Sequence, residues 1–492
     1  MLNKILSFKS SLIMVHAVLL LLFVFSRLVD GDEGFYLEAA RAVGSGKTPY
    51  IDFFYPQMPY LPYILSPFAN DGFNTLYESR IVSVLVSLIT ALLFFRLASR
   101  FHNESKLIPV LLILYVLSGL NISWHSVAKT YAWTDLFLLS GFLASLKYSD
   151  KNNIKYAMFS GAAIALAVNF RLVLLPLFIV FLLYLILNST RNYYRGVVAF
   201  LISTLTISIP SLVLFLADPQ RFYFNNLGFH LMRNPDSGFL ISIVQKIVEL
   251  LKIASNPQTL ILAVFFFISL FAWWKTKKNL PILRIIATPV GFTATIALTI
   301  IVVYILPNPV HQQYFVQTVP FMILLLPYGI EKIKSQNKRF PFKLTSRHAL
   351  KFIYVIYCLG IIPYMVVFFS GRKTHDGSYH INNVRSICDL ISQKTTTEKI
   401  YSEWAGFAVL SQRQNLDGLE FIGFDYPLPI SDSLKRFYHF PVALELAKQI
   451  EEKKPAFCIV YDQPQEELRM IISERYQLLK SFKHYHVYEL KP

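Results

Sequence analysis

Residues 12–36 read LIMVHAVLLLLFVFSRLVDGDEGFY: an apolar run, then two carboxylates, Asp32 and Glu33, just beyond its end. The run from Leu12 to Val29 is close to the roughly 20 residues that an α-helix needs to cross a bilayer. Acidic side chains just outside such a helix stand at the lipid–water boundary. There they can meet the head of a lipid and a water-soluble reactant together.

The rest of the chain has the same character. Of 492 residues, 54% are hydrophobic and only 16% charged, outside the range of soluble domains. About eleven runs are near spanning length: 12–29, 78–98, 107–124, 131–147, 156–170, 172–188, 197–217, 258–274, 284–306, 314–330 and 350–369. The pair flanking Arg171 is the hardest to divide. Residues 1–370 therefore read as a polytopic α-helical membrane unit with outer loops at 30–77 and 218–257, and residues 371–492 as a small soluble α/β unit. Lys4 and Lys9 precede the first run as in a signal peptide, but no small-residue cleavage site follows, so an uncleaved first helix is the simpler reading.

A net charge of +17 suggests nucleic acid until its distribution is read. Lys and Arg crowd alternate connections: Arg96, Arg100 and Lys106; Lys147, Lys151 and Lys155; Arg191 and Arg195; Lys275, Lys277 and Lys278; and the run from Lys332 to Arg347. This is the positive-inside pattern of a membrane protein. It puts the N-terminus in the cytoplasm and, with an odd number of spans, the C-terminal unit outside. The sequons at Asn103 and Asn188 then face the cytoplasm and are discounted. Cys388 and Cys458 stand in apolar surroundings, where a disulfide and two buried thiols are both open.

Within the first outer loop, Tyr36–Val43 reads as a short amphipathic helix closed by Gly44-Ser45-Gly46. Prolines and aromatics alternate from Tyr50 to Pro62, which suits a rigid segment resting at the membrane interface. The second outer loop places Leu240, Ile243, Val244, Ile247, Val248 and Leu251 at helical spacing, for a helix lying on the outer leaflet or packed on the protein. In the C-terminal unit the pattern predicts helices at 383–394, 441–453 and 464–474 and strands at 399–402, 420–424, 456–461 and 486–490. No Gly-rich phosphate loop, nucleophile motif or metal-ligand spacing stands out in it.

Charges near the bilayer are costly and tend to be functional. Asp32, Glu33, Arg80, Lys129, Asp135, Arg171 and His311 all fall at outer ends of spans, which suggests one cavity open to the outside. Transfer of a sugar to a hydroxyl needs a base, which a carboxylate supplies, and cations for the departing phosphate. A polyprenyl tail needs an apolar groove between helices. The chain offers Asp32 as base and Lys129, Arg171 and Arg80 for phosphate. The competing reading of Asp32 is an N-cap on a helix starting near Gly34.

The loop Asp32-Glu33, Tyr36, Ala39-Ala40-Arg41, Gly46, Pro49-Tyr50, Asp52-Phe53 and Gln57-Met58-Pro59-Tyr60 resembles that of the dolichyl-phosphate-mannose–protein mannosyltransferase superfamily. Its bacterial relatives include aminoarabinose transferases acting on lipid A. Arg80-Ile81-Val82-Ser83, Asn169-Phe170-Arg171 with Leu175-Pro176, and His311-Gln312-Gln313-Tyr314-Phe315 with Pro320 are similar to later motifs of that superfamily. The resemblance implies a GT-C membrane fold and an inverting glycosyltransferase that takes a hexose or pentose from a polyprenyl-phosphate donor to a hydroxyl acceptor at the outer face. It implies Asp32 as the catalytic acidic residue and Glu33 as the second acidic position, with an orienting or acceptor-binding role. Tyr36, Asp52, Tyr55, Gln57, Asp135, His311, Gln313 and Tyr314 are the expected substrate-binding residues. No cofactor is expected, and a divalent cation is not favoured. The expected partners are the lipid donor and the bilayer, not nucleic acid. The main alternative is a transporter or lipid-linked-sugar flippase, which favours ionisable residues at the midplane and internal repeats; a third is a scaffold displaying the C-terminal unit.

Overall fold

Each of the eleven apolar runs is helical in the computed structural model. It describes residues 2–102, 107–189, 193–232, 239–307, 309–335, 347–370, 378–394, 399–421, 428–462 and 466–492. Among these residues five helices are long and apolar enough to cross a membrane: Ser7–Ser26, Asn74–Phe101, Tyr194–Ala217, Pro257–Lys277 and Lys351–Ser370. A sixth forms if Ile108–Val116 and Gly119–His125, bent by 46°, count as one span. Ile154–Phe170, Leu172–Leu187 and Pro289–Ile305 are shorter apolar helices, Tyr131–Lys151 has 21 residues without counting among the five, and breaks fall inside the runs at 107–124 and 284–306.

Those breaks are locally satisfied, as backbone in a bilayer must be. At the bend before Gly119, Gln258 accepts a hydrogen bond from the Gly119 amide (2.8 Å) and donates to the Leu117 carbonyl (2.7 Å) and the Tyr357 carbonyl (2.8 Å). Asn256 and Thr288 cap helices that have Pro257 and Pro289 in their first turn.

The first outer loop is helical earlier than its pattern suggests. The helix runs Gly31–Gly44, so Asp32 and Glu33 lie in its first turn. Its N-cap is Asp30: Asp30 Oδ1 accepts from the Asp32 amide (3.1 Å), and Glu33 Oε2 accepts from the Asp30 amide (2.8 Å), a reciprocal capping box. Asp32 is thereby released from the capping role weighed for it.

The aromatic segment that follows does not rest on lipid. Tyr50, Phe53, Phe54 and Tyr55 are fully buried. Phe54 packs edge-on against Phe229 of the second outer loop and against Phe421 and Phe440 of the C-terminal part. The second outer loop does hold a helix, Phe239–Ala254, with Ile241, Val244, Ile247 and Leu251 exposed along it.

The C-terminal part is a five-stranded sheet with flanking helices. The strands are β1 (Lys399–Ser402), β2 (Gln414–Asn415), β3 (Phe457–Tyr461), β4 (Tyr476–Phe482) and β5 (Tyr485–Leu490), in the order β2-β1-β3-β5-β4. The β2-β1-β3 half is parallel and the β3-β5-β4 half antiparallel. The expected helices appear as Ile381–Lys394, Ala443–Lys453 and Glu466–Arg475. The strand expected at 420–424 lies from residue 422 onward outside the described residues. Cys388 and Cys458 are free, buried thiols.

This sheet is docked on the helix ends around Gly31 and Gly34. Gly34 makes the docking close: a Cβ there would stand 2.5 Å from Trp404 Nε1 and 2.8 Å from the Gly406 nitrogen. Trp404 Nε1 donates to the Gly31 carbonyl (2.8 Å), tying β1's end to the start of the Asp32 helix.

Candidate active site

The docking encloses a cavity of about 860 Å³ between the helix ends, the two outer loops and the sheet. Arg27, Trp124, Lys129, Tyr131 and Arg171 line it from the helix ends, and His311, Gln313 and Tyr314 from the late loop. Gln57, Phe229, His230, Glu249 and Lys252 form its sides. Tyr379, Glu403, Phe421, Tyr461 and Tyr485 close it from the C-terminal part.

Asp32 projects into this cavity from the first turn of its helix, with its side chain 53% exposed. Lys129 stands between two carboxylates: its Nζ is 2.6 Å from Asp30 Oδ1 and 2.7 Å from Asp32 Oδ2. Burial works against the Lys129 charge, but Asp30 and Asp32 outweigh it and hold the ammonium well above its ordinary value. Burial likewise opposes ionisation of Asp30. The Lys129 and Arg27 cations prevail and keep its carboxyl below the usual range. Arg27 is 3.8 Å from Asp30 and lies over the Phe368 ring (4.5 Å) and the Trp124 ring (5.2 Å). The alternating row Arg27, Asp30, Lys129, Asp32 thus leaves one carboxylate facing open space.

Arg171 is differently placed. Among the described residues no carboxylate pairs with it. Its guanidinium sits 4.5 Å from the Tyr131 ring centre, 5.6 Å from that of Tyr304 and 5.7 Å from that of Tyr314. Nη1 donates to Thr130 Oγ1 (3.1 Å), and the buried Nε has no hydrogen-bond partner among the described residues. Tyr304 and Tyr314 stack with centres 5.2 Å apart, and His311 meets Tyr314 edge-on. A cation without a counter-carboxylate, ringed by tyrosines at the cavity wall, is arranged to receive an anion.

Eight of the thirteen residues singled out in the sequence line this cavity: Asp32, Tyr36, Gln57, Lys129, Arg171, His311, Gln313 and Tyr314. Five do not. Glu33 and Arg80 are fully buried against each other, with Arg80 Nη2 2.6 Å from Glu33 Oε2 and Nε 2.8 Å from Oε1. Glu33 Oε1 also accepts from the Ala128 amide (3.0 Å), and Arg80 donates to the carbonyls of Val24 (2.8 Å) and Leu28 (3.1 Å). Burial raises the Glu33 carboxyl, but Arg80 more than compensates, so it stays ionised below its ordinary value. Neither group lines the cavity; together they tie the loop of Lys129 to the helix of Asp32. Asp52 caps its own turn, accepting from the Thr48 amide (2.7 Å), and lines a separate cavity of about 460 Å³ beside Lys47 and Glu420. Tyr55 lies behind Tyr36, ring centres 6.3 Å apart. Asp135 is sealed in the helix bundle, 3.0 Å from His125 Nε2, in a chain that continues through Ser87 to His16.

Sequence reading passed over Arg27 and Asp30, whose i, i+3 spacing at the end of the first span was the available signal, and the C-terminal wall, which left none.

Three comparisons bear on the fold. The family model described as dolichyl-phosphate-mannose-protein mannosyltransferase matches residues 56–215. That match begins after the helix of Asp32 and Glu33. No curated protein matches the chain in sequence. ArnT from Cupriavidus metallidurans, in a crystal structure bound to undecaprenyl phosphate, superposes with a TM-score of 0.65 at 13% identity, over 99% of this chain and 98% of that one. The oligosaccharyltransferase of Archaeoglobus fulgidus, tethered to an acceptor peptide, gives 0.53 at 11% identity over 98% and 74%. The oligosaccharyltransferase AglB from Archaeoglobus fulgidus, with an inhibitory peptide and a dolichol-phosphate, gives 0.50 at 11% identity over 98% and 74%. The chain has the multi-pass GT-C membrane fold with a small C-terminal α/β part, as the resemblance implied.

Proposed function

We propose that this protein is a membrane glycosyltransferase that moves a sugar from a polyprenyl-phosphate-linked donor to an acceptor hydroxyl, with inversion. The observation that carries the reading is one cavity holding both an outward-facing carboxylate, Asp32, and a cation free of carboxylates, Arg171. The undecaprenyl phosphate bound to ArnT and the dolichol-phosphate bound to AglB support a lipid phosphate as the ligand of this fold.

In the proposed step the acceptor hydroxyl gives its proton to Asp32 as its oxygen attacks the anomeric carbon. The bond from that carbon to the phosphate oxygen breaks, and the electron pair leaves with the polyprenyl phosphate. Arg171 neutralises the departing charge. The proton then passes from Asp32 to water or to the phosphate. A single displacement from the face opposite the phosphate inverts the anomeric centre. Lys129 orients Asp32, and the Glu33–Arg80 pair holds both. Asp30 and Asp32 already share an ammonium where a divalent ion would sit, which favours chemistry without a resident metal. The donor sugar is a hexose or pentose, Tyr36, Gln57, His311, Gln313 and Tyr314 contact the substrates, and the cavity lies outside the cytoplasm, the side that the distribution of Lys and Arg favours.

The test is transfer by purified protein from polyprenyl-phosphate sugars, with the product's anomeric configuration read by NMR. Retention of configuration, or translocation across vesicles with no new glycosidic bond, counts against the proposal.

A further inference from the structure

Lys129 meets Asp32 and Thr130 meets Arg171, and both belong to one short stretch, residues 126–130. It joins the helices Gly119–His125 and Tyr131–Lys151 and is itself non-helical. None of its residues is more than 2% exposed. Buried backbone outside a helix keeps its place only where its surroundings fix it.

Three contacts fix this stretch. At its far end the Thr130 carbonyl accepts from the Thr134 amide (3.0 Å) and from Thr134 Oγ1 (3.1 Å), so Thr130 moves with the helix that follows. In its middle the Ala128 amide donates to Glu33 Oε1 (3.0 Å). At its near end stands His125, whose Nε2 is 3.0 Å from Asp135 Oδ2. That contact closes the last residue of one helix onto the first turns of the next, across the stretch between them. The pair is seated deep in the bundle. His125 Nδ1 is 3.0 Å from Ser87 Oγ, Ser87 Oγ is 3.4 Å from His16 Nε2, and His16 Nδ1 donates to the Val116 carbonyl (3.1 Å). All four side chains are fully buried, and none lines the cavity. A carboxylate inside a helix bundle is costly, which marks Asp135 as a candidate for a role.

We infer that His125 and Asp135 are positioning residues, whose contact holds the start of the stretch so that the Lys129 ammonium stands between Asp30 and Asp32. The inference rests on the glycosyltransferase reading and names two residues that serve it from outside the cavity. Without the contact the end of the stretch before Lys129 is loosened, while Thr130 stays on its helix and keeps its bond to Arg171. Orientation of Asp32 suffers, and binding of the donor phosphate does not.

The test uses full-length protein in nanodiscs. Asp135→Leu and His125→Leu each break the contact, whereas Asp135→Asn keeps an oxygen for His125 Nε2. Each leucine variant lowers kcat of sugar transfer about ten-fold or more and leaves the donor KM within about three-fold. Hydrogen exchange in residues 126–129 quickens by about ten-fold or more, and exchange in the helix from Tyr131 does not. The two leucine substitutions together lose no more than either alone, because they remove one shared contact. Asp135→Asn stays within about three-fold of the unaltered protein in kcat and in exchange. The inference is overturned if either leucine variant leaves kcat or the exchange unchanged, if it raises the donor KM or abolishes polyprenyl monophosphate binding, if the two losses multiply, or if Asp135→Asn is as impaired as Asp135→Leu. Absence of transfer by the unaltered protein from any polyprenyl-phosphate sugar overturns the glycosyltransferase reading instead, and exchange in residues 126–129 still decides whether the pair holds the stretch.

Discussion

Glu33→Gln separates a residue that holds the site from one that performs chemistry. Four donors converge on the Glu33 carboxylate: Arg80 Nε and Nη2 and the amides of Asp30 and Ala128, all within 3.0 Å. A glutamine keeps the volume but offers one oxygen, and its NH₂ group faces donors. The substitution also leaves the Arg80 charge fully buried with only two backbone carbonyls to receive it. Breaking one partner of such a pair costs roughly 3–5 kcal/mol. At about 2 °C per kcal/mol, the low end suited to a long chain, the apparent melting temperature of detergent-purified protein falls by roughly 6–10 °C. Glu33→Leu combined with Arg80→Met recovers part of that loss, because the uncompensated charge is gone. Transfer activity falls in Glu33→Gln together with stability. A Glu33→Gln protein that melts within about 1 °C of the unaltered one refutes the positioning role.

Other consequences are more local. Arg171→Gln raises the apparent KM for the polyprenyl-phosphate donor about ten- to a hundred-fold through one lost charge-assisted contact, read in donor titrations; an unchanged KM removes Arg171 from the phosphate site. Gly34→Ala forces a methyl group into Trp404 and loosens the C-terminal part, at a cost of about 1–3 kcal/mol, seen as faster hydrogen exchange in Trp404–Leu410; unchanged exchange shows that the contact is not tight. The Glu33 carboxyl is held below its ordinary value of 4.5, so its contribution to stability is complete above that pH and is lost as pH falls through its folded value, with Asp30 acting in the same direction. Melting temperature therefore declines as pH drops below 4.5, and this decline is weaker in the Glu33→Leu, Arg80→Met protein; equal decline in both assigns the acid sensitivity elsewhere.

Helices were legible because a bilayer imposes length and hydropathy on the chain. Asp32 was legible for the same reason: it follows the first span directly. The start of its helix was hidden by Gly31 and Gly34, two poor helix formers, and Asp30 as cap was hidden with it. The pairing of Glu33 with Arg80 spans 47 residues. The sequence shows only that each sits beside a membrane end, and whether a charge faces a cavity or a partner is set by packing. The segment from Tyr50 to Tyr55 has the composition of an interfacial anchor, yet packing against Phe229, Phe421 and Phe440 removes it from lipid. In the C-terminal part, β1 has buried apolar residues that mark it as a strand, whereas β4 is an edge strand with most positions in solvent and no alternation to read. Glu403 and Tyr461 become wall residues only through the docking of that sheet.

Asp32→Asn is the most direct test of the central claim. The amide keeps the shape, and Asp30 still caps the helix and holds Lys129. Purified Asp32→Asn protein, given a polyprenyl-phosphate sugar and a hydroxyl acceptor, is expected to bind the lipid phosphate and melt as the unaltered protein does while sugar transfer falls by at least about a hundred-fold, the range of a lost general base. Transfer at the unaltered rate contradicts the account.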